Sequence, residues 1–182
     1  EEAMQELKQD QFKEMLEEEE LESQQFVKDT VMETDFDILF PDTYVSQIAE
    51  RITLYKELDN CKTESELQAF EQRLIDRFGP LPDKAKDLVQ TIRLRWIAGS
   101  IGFEKLIIKG GKLIGYFVSR EDSPYYQSEA FTGVLEFMKY NPREGEMYEK
   151  NGGLRMKFDK VKNIAAALNI LERLQPKQVK EA

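Results

Sequence analysis

The chain has 182 residues, a single cysteine, no histidine and a formal net charge of −9. This length is enough for one ordinary hydrophobic core with an appendage. The lone cysteine excludes an intrachain disulfide, and the lack of histidine removes both Cys/His zinc spacing and the commonest general base. We therefore expect a cytoplasmic protein with no metal site. No apolar run is long enough to cross a bilayer and the start has no secretion signal, so we expect no membrane partner.

The first 29 residues form an acidic segment. They hold eleven acidic residues and three lysines, a charge of −8, so the rest of the chain carries only −1. The segment contains neither Gly nor Pro, and the run Glu17–Glu20 interrupts its thin apolar stripe. Such a pattern is typical of a solvated helix. We predict an acidic helical arm over residues 1–29, which is either a solvated arm or a linker.

Residues 30–39 alternate in the two-residue period of a β-strand, with acidic side chains along one face. Charge on one face is typical of an edge strand, where it hinders further pairing. Asp35 and Asp37 share this face and raise the question of a metal site, but two carboxylates at strand spacing more often face solvent. We predict an edge strand and no bound metal.

Phe40-Pro41-Asp42 is expected to turn the chain into a first core helix. Its apolar residues recur at the spacing of one helical face, which should be buried. They are Val45, Ile48, Ile52, Tyr55 and Leu58. A short loop follows, so this helix should form an antiparallel pair with the next one.

The next helix has the clearest signals in the chain. Thr63 and Glu66 have the spacing of a capping box, which begins a helix. Gly79 favours the left-handed conformation that ends one, and prolines at 80 and 82 prevent continuation. The apolar residues between these signals form a stripe that we expect to be buried: Leu67, Phe70, Leu74, Ile75 and Phe78.

The last turn of this helix places Asp76 and Arg77 on a fixed piece of backbone. An acidic residue there lies at the negative end of the helix dipole, which is mildly unfavourable. Two interpretations stay open: the two charges serve a partner, or they pair with neighbours on the surface.

Leu81-Pro82-Asp83 starts a third helix, which Asp83 can cap and Gly102 ends. Its apolar side holds Ala85, Leu88, Val89, Ile92, Trp96 and Ile97. It is also the most basic helix, with Lys84, Lys86, Arg93 and Arg95. Trp96 could stack on a base, but it lies on the apolar stripe, so a core tryptophan beside a solvated basic face is the simpler interpretation. Nucleic-acid contact through the four cations is the alternative.

From residue 103 onward the pattern predicts two β-hairpins. Residues 103–109 and 113–118 flank Gly110-Gly111, and residues 146–150 and 154–158 flank Asn151-Gly152-Gly153. The first glycine pair is not a phosphate-binding loop, because Leu106 and Leu113 stand where that motif needs a glycine and a hydroxyl. We predict no cofactor.

Two more helices are predicted around the second hairpin. Ser123-Pro124 is expected to open the first of them, with Phe131, Val134, Leu135 and Met138 buried. The last is expected to stop at Pro176, with Val161, Ile164, Leu168 and Leu171 facing inward.

Together these elements predict an α+β fold: an N-terminal helical arm and strand, a three-helix group, then two β-hairpins with helices packed on the sheet. We divide the chain into the arm at 1–29, a domain at 30–176 and a loose tail at 177–182. Without histidine, catalysis would rest on carboxylates or lysine, and 35 acidic residues bring some carboxylates together by chance. We therefore predict no catalytic residues.

Three runs of residues resemble the C-terminal domain of bacterial transcription-repair coupling factor: RITLYK at 51–56, KTESEL at 62–67 and LIDRFGPLP at 74–82. The similarity extends upstream through 37–45 and downstream through 93–95 and 102–105. It covers about residues 30–105 and fades beyond them.

Members of this family are ATP-driven DNA translocases that remove stalled RNA polymerase and recruit the excision-repair protein UvrA. The resemblance implies that this domain is not the motor. It implies instead a regulatory domain that folds against the N-terminal repair-recruiting module and hides its binding surface until polymerase is engaged. DNA would be reached through the motor domains.

On this view the contact should be charged and partly exposed, because a large apolar interface would not open. The resemblance assigns it to Asp76 and Arg77, with Arg73 one turn earlier. Arg73 departs from the family pattern, since many relatives carry an acid there. The alternative is an accessory domain that contacts DNA or RNA polymerase through the basic helix at 83–101.

Overall fold

The computed structural model describes residues 2–24 and 26–176, so the predicted tail at 177–182 lies outside the described residues. The fold is α+β, as predicted. The helices are α1 (Glu2–Gln24), α2 (Ile48–Asn60), α3 (Glu64–Phe78), α4 (Asp83–Ile101), α5 (Glu129–Tyr140) and α6 (Ile164–Leu174). The strands are β1 (Val31–Thr34), β2 (Phe103–Lys109), β3 (Lys112–Phe117), β4 (Glu146–Lys150) and β5 (Gly153–Phe158).

The five strands form one mixed sheet in the order β1-β2-β3-β5-β4. Both predicted hairpins are confirmed, β2 with β3 and β4 with β5, each antiparallel. The first turn uses Gly110 and Gly111 at φ of 60° and 74°, and the second uses Asn151 and Gly152 at 53° and 77°. These left-handed conformations match the twist of the flanking strands.

Strand β1 lies at the sheet edge, as predicted, but it is shorter than expected. The strand covers four residues rather than 30–39, and it pairs in parallel with β2. It ends because the Thr34 hydroxyl accepts a hydrogen bond from the Phe36 amide (3.1 Å), which bends the chain away from the sheet. Local hydroxyl-to-backbone bonds of this kind compete with strand pairing.

Two clusters of buried side chains make up the core. The first lies between one face of the sheet and helices α4, α5 and α6, and includes Tyr125, Phe103, Leu106 and Ile108. The second lies among α2, α3 and α4, and includes Phe40, Leu58, Leu67 and Phe70. Because α4 contributes to both clusters, it joins the predicted three-helix group to the sheet.

Helix α1 forms, and the described side chains along its first half are exposed. Met4, Leu7, Phe12 and Met15 are between 56% and 72% exposed. This agrees with the prediction of a solvated helix. Val27 is buried in the first cluster, so packing against the domain begins just after the helix. Among residues 2–24 and 26–176, no helix is both long and apolar enough to cross a membrane.

The predicted burial of three isoleucines was wrong. Ile48 and Ile52 on α2 are 66% and 50% exposed, and Ile75 on α3 is 39% exposed. Helix α2 begins at Ile48 rather than just after Asp42, and it buries Leu54 and Leu58. At 3.6 residues per turn, Ile48 and Ile52 lie roughly 120–160° around the helix from Leu54. The face that meets α3 and α4 therefore excludes them.

Four other local predictions need correction. Ser123-Pro124 opens only a short 3₁₀ helix, Pro124–Gln127, and α5 starts separately, with the Ser128 hydroxyl accepting from the Phe131 amide. Leu135 on α5 is 47% exposed. Asp83 does not cap α4, since Pro82 holds that position and makes no side-chain bond. Eight residues expected in the core are only half-buried: Tyr55, Phe78, Leu88, Trp96, Ile97, Phe131, Met138 and Leu168.

Candidate functional site

The residues predicted to contact a partner lie on α3, and both ends of that helix are fixed. The Thr63 hydroxyl accepts from the Glu66 amide at 3.2 Å, while the Glu66 carboxylate accepts from the amide of Lys62 at 2.8 Å. At the other end Gly79 has φ of 90° and donates its amide to the Ile75 carbonyl at 2.9 Å.

A tyrosine from outside the helix fastens its last turn. The Tyr44 hydroxyl bonds to the carbonyls of Gly79 at 2.8 Å and Leu74 at 3.2 Å. Its ring lies 5.7 Å from that of Phe78, and burial raises the pKa of the phenol. The end of α3 is therefore held by backbone and side-chain bonds together. We call Arg73, Asp76 and Arg77 at this end the α3 turn.

Arg77 in the α3 turn contacts two neighbouring side chains and is still exposed to solvent. One of its terminal nitrogens lies 2.5 Å from a carboxylate oxygen of Glu50 on α2, and its guanidinium carbon lies 4.9 Å from the centre of the Phe78 ring. The side chain is still 61% exposed. Both contacts orient the guanidinium without covering it, so a partner can reach it.

Asp76 and Arg73 carry charges that no ion pair neutralises within the described residues. Asp76 accepts a hydrogen bond from the neutral Gln72 amide at 2.8 Å. Arg73 packs its guanidinium carbon 5.8 Å from the centre of the Phe70 ring. Both side chains are exposed. The α3 turn thus presents Asp76 and Arg73, which have no ion pair among the described residues, beside Arg77, which is paired with Glu50.

A cleft of about 380 Å³ between α2 and α3 adjoins this turn. Its apolar part includes Leu54, Phe70, Leu74 and Phe78, and its charged lining is Glu50, Glu57, Arg73 and Arg77. Sequence reasoning missed the cleft and the two glutamates. Their spacing of seven residues, which puts both on one face of α2, was the available signal.

The four cations of α4 were the alternative nucleic-acid contact, and ion pairs occupy three of them. Lys84 lies 2.6 Å from Asp37. Arg93 bonds to Glu64 at 2.7 Å and Glu71 at 3.3 Å.

Arg95 is similarly occupied, because it reaches Asp29 at 2.8 Å, the Thr30 carbonyl at 3.2 Å and Asp59 at 3.6 Å. Lys86 is exposed and has no ion pair among the described residues. The four positions therefore do not make one free basic surface.

The two aspartates considered as a metal site are used by the protein itself. Asp35 accepts from the Gly110 amide at 2.9 Å, and Asp37 accepts from Lys84 at 2.6 Å. Within residues 3–15 and 26–176, whose side chains the structure describes, no group of three or more metal-ligating side chains comes together. Cys61 is a buried free thiol, and burial raises its pKa, with the nearby Glu66 charge adding to the effect.

Comparison with known proteins identifies the family. A model of the TRCF domain matches residues 34–128, just over half of the chain. The transcription-repair-coupling factor of Escherichia coli K12 is 32% identical over 140 residues, which cover 77% of this chain and 11% of that protein. The corresponding factor of Buchnera aphidicola is 38% identical over 77 residues, 42% of this chain and 9% of that protein.

A solved structure has the same fold. A crystal structure of the C-terminal domain of transcription-repair coupling factor matches with a TM-score of 0.63 at 19% identity, and covers 80% of this chain and 92% of that one. This chain spans about a tenth of the length of the curated relatives it matches. The chain therefore belongs to the transcription-repair coupling factor family and contains its TRCF domain.

Proposed function

We propose that this chain is a non-catalytic regulatory domain of a cytoplasmic, ATP-dependent DNA translocase that couples transcription to nucleotide-excision repair. Its α3 turn covers the repair-recruiting surface of the N-terminal module of the same protein. UvrA is kept away until the factor engages RNA polymerase, and DNA is contacted by the motor domains. The domain is an autoinhibitory latch.

One observation carries this proposal: the α3 turn combines a fixed backbone with unneutralised charge. The Tyr44 hydroxyl and the Gly79 amide hold the end of the helix in place. Asp76 and Arg73 on that end have no ion partner among the described residues. A preordered charged surface loses little conformational entropy on binding, which favours recognition of a partner with complementary charges.

The strength of such a contact suits a latch that opens. Exposed ion pairs contribute about 0.2–1 kcal/mol each, so the three charges of the α3 turn amount to about 0.6–3 kcal/mol. A coupling of about 1–3 kcal/mol changes a partner's affinity by roughly 5- to 150-fold. The adjoining cleft of about 380 Å³ can take a side chain from the partner and set the register of the contact.

The test is Asp76→Ala in a full-length factor carrying this domain, with affinity for UvrA measured by titration. Loss of the carboxylate weakens the closed state, so affinity should rise several-fold, toward the value of a factor without the domain. Asp159→Ala is the matched control, because Asp159 is also exposed and lies just beyond β5. Equal affinity of the Asp76 variant and the unmodified protein would contradict the proposal.

A direct binding measurement tests the contact between this domain and the N-terminal module separately from its effect on UvrA affinity. The 182-residue chain is mixed with the separate N-terminal module at about 50 and 300 mM salt. Binding should occur at the lower concentration and weaken at the higher one, since salt screens exposed charges. Failure to bind at either salt concentration would overturn the intramolecular contact.

A further inference from the structure

One face of the sheet is not covered by helices, and we call its outward-pointing side chains the open face. Along β2 and β3, Leu106, Ile108 and Leu113 point into the first core cluster and are fully buried. The alternating residues Ile107 and Ile114 are half-buried and belong to neither cluster in the described chain. The helices therefore pack on one side only.

The three inner strands carry a concentration of positive charge on the open face. Their registered outward positions hold five cations and no acid: Lys105, Lys109, Lys112, Arg155 and Lys157. The acids lie at the margins, Glu33 on edge strand β1, Glu146 on edge strand β4 and Glu104 in the bulge of β2. This arrangement contrasts with the net charge of −9 for the whole chain.

Part of this charge is not neutralised. Glu33 lies 3.3 Å from Lys105 and 3.5 Å from Lys109, and these lysines hold the pKa of its carboxyl below the usual value. Glu146 lies 3.4 Å from Lys157. Lys112 and Arg155 have no ion pair among the described residues. Lys112 and Arg155 are thus the inner-strand cations whose charge stays available, while Lys105, Lys109 and Lys157 share theirs with two edge-strand glutamates.

One row across the sheet alternates cations with aromatic rings. Strand register places Lys105 beside Tyr116, Tyr116 beside Arg155, and Arg155 beside Tyr148. The Arg155 guanidinium carbon lies 4.4 Å from the centre of the Tyr116 ring, and the Lys105 ammonium lies 5.8 Å from it. The Nε of Arg155 is buried and has no hydrogen-bond partner in the described structure. The Tyr116 ring therefore positions the guanidinium, and its Nε is a buried nitrogen left without a protein partner in the described structure.

We propose that the open face binds single-stranded DNA without strong sequence preference. Cations along the inner strands would contact phosphates, while the Tyr148 ring and the Arg155 guanidinium plane offer surfaces on which bases stack. These are the two components of non-specific single-strand binding, a basic track and aromatic platforms. A sheet face with aromatic side chains is a geometry that accepts splayed bases.

The chemistry of the face separates this ligand from others. Its registered positions on the inner strands hold no Ser, Thr, Asn or Gln, so the Tyr116 hydroxyl is the one neutral polar side-chain group there that could meet a ribose 2′-hydroxyl. An acidic peptide would use the cations but has no need of the aromatic row. We therefore choose single-stranded DNA over RNA and over an acidic protein segment.

The experiment is fluorescence anisotropy of the 182-residue chain with a labelled 12-nucleotide oligothymidine at several salt concentrations. Affinity should fall as salt rises, with a log–log slope of about 0.7 per phosphate contacted. Oligouridine, duplex DNA and an oligoglutamate peptide are the comparison ligands, and none should bind more tightly than oligothymidine.

Two variants and one control locate the binding surface. Lys112→Glu should weaken binding at least about fivefold and lower the salt slope, since it loses one phosphate contact. Tyr148→Leu keeps an apolar side chain and should weaken binding roughly 5- to 100-fold with little change in slope, because a stacking surface is lost. Lys86→Glu makes the same charge change on α4, where Lys86 is also exposed, and should alter affinity less than about twofold.

Several results would overturn the proposal. Salt-independent binding, or an equal loss in Lys86→Glu and Lys112→Glu, would show that the open face is not the site. Tighter binding of oligouridine or oligoglutamate would assign the face to a different ligand. Thermal melts confirm that each variant is folded. Asp76→Ala should leave this binding unchanged, so failure here is distinct from failure of the latch.

Discussion

Helices α3 and α4 belong to the same helical group and both end at a glycine with positive φ, but the two ends have opposite surroundings. Around Gly79, at the end of α3, nothing lies within 4 Å of where a Cβ would stand. Around Gly102, at the end of α4, a Cβ would overlap the ring of Tyr125. One helix ends at the surface and the other in the core.

Their charges differ in the same way. Arg73 and Asp76 on α3 have no ion partner among the described residues, whereas Arg93 and Arg95 on α4 each contact two carboxylates. The more basic helix therefore has less charge available to a partner. The difference teaches that the number of charges on a helix does not measure what it can bind, because the fold decides which charges are already paired.

Replacing each of the two glycines by alanine should give the largest difference in stability between the two helix ends. Gly102→Ala combines a backbone conformation unfavourable to alanine with overpacking against Tyr125, so the free energy of unfolding should fall by about 4 kcal/mol. Gly79→Ala has the backbone cost alone, about 2 kcal/mol. Urea denaturation of both variants measures the difference. Equal losses would show that Tyr125 can move aside and that the α4 end is not tightly packed.

Arginine truncation is expected to give the next largest effect. Arg93→Ala removes the partner of Glu64 and of the half-buried Glu71, and should lower the free energy of unfolding by about 1 kcal/mol. Arg73→Ala removes an exposed side chain with no ion partner in the described structure and should change it by less than about 0.5 kcal/mol. If chemical denaturation showed a larger loss of stability for Arg73→Ala than for Arg93→Ala, the ion pairs of Arg93 would not be the stronger contribution.

The pH dependence of the Arg93 effect gives the smallest and most specific test. The hydrogen bond from Arg93 holds the pKa of the Glu64 carboxyl below its ordinary 4.5, against the opposing effect of burial. A depressed carboxyl pKa stabilises the fold above the unfolded pKa, and this contribution is lost as pH falls through the folded pKa.

The stability difference between the unmodified chain and Arg93→Ala should therefore narrow between about pH 5 and pH 3. The corresponding difference for Arg73→Ala should stay flat over this range. Thermal melts at four or five pH values measure both. A gap for Arg93→Ala that is constant with pH would show that Glu64 does not draw its stabilisation from Arg93.

Sequence reasoning succeeded where the signal was local. Both hairpins were predicted from glycine-containing turns, and strand β2 was placed with the correct bounds. Helix α3 was placed between its Thr63 cap and Gly79, and the structure has both. In each case the deciding contacts join residues at most four apart, so the pattern in the chain contains them.

Sequence reasoning failed where the burial of a side chain depends on which other element packs against its helix or strand. Ile48, Ile52 and Ile75 fit a helical stripe, yet they are exposed because the neighbouring helices meet other faces. The parallel pairing of β1 with β2 joins Val31 to Lys105, across the whole helical group, and no local pattern indicates it.

The candidate site shows the same division. The exposed charges of the α3 turn could be found from one helix and its stop signal, but the cleft beside them needs a second helix. Whether a cation is free also depends on distant residues, since Arg93 meets a carboxylate 29 positions away and Arg95 one that is 66 positions away.

The sequence by itself determined the two hairpin turns, both ends of α3, the α+β class and the resemblance to a family. Only the tertiary structure decided which charged groups remain available and that one face of the sheet is basic and uncovered. The reason is physical: caps, turns and periodicity are set by interactions along the chain, whereas burial and charge pairing are set by side chains that the fold brings together from distant positions.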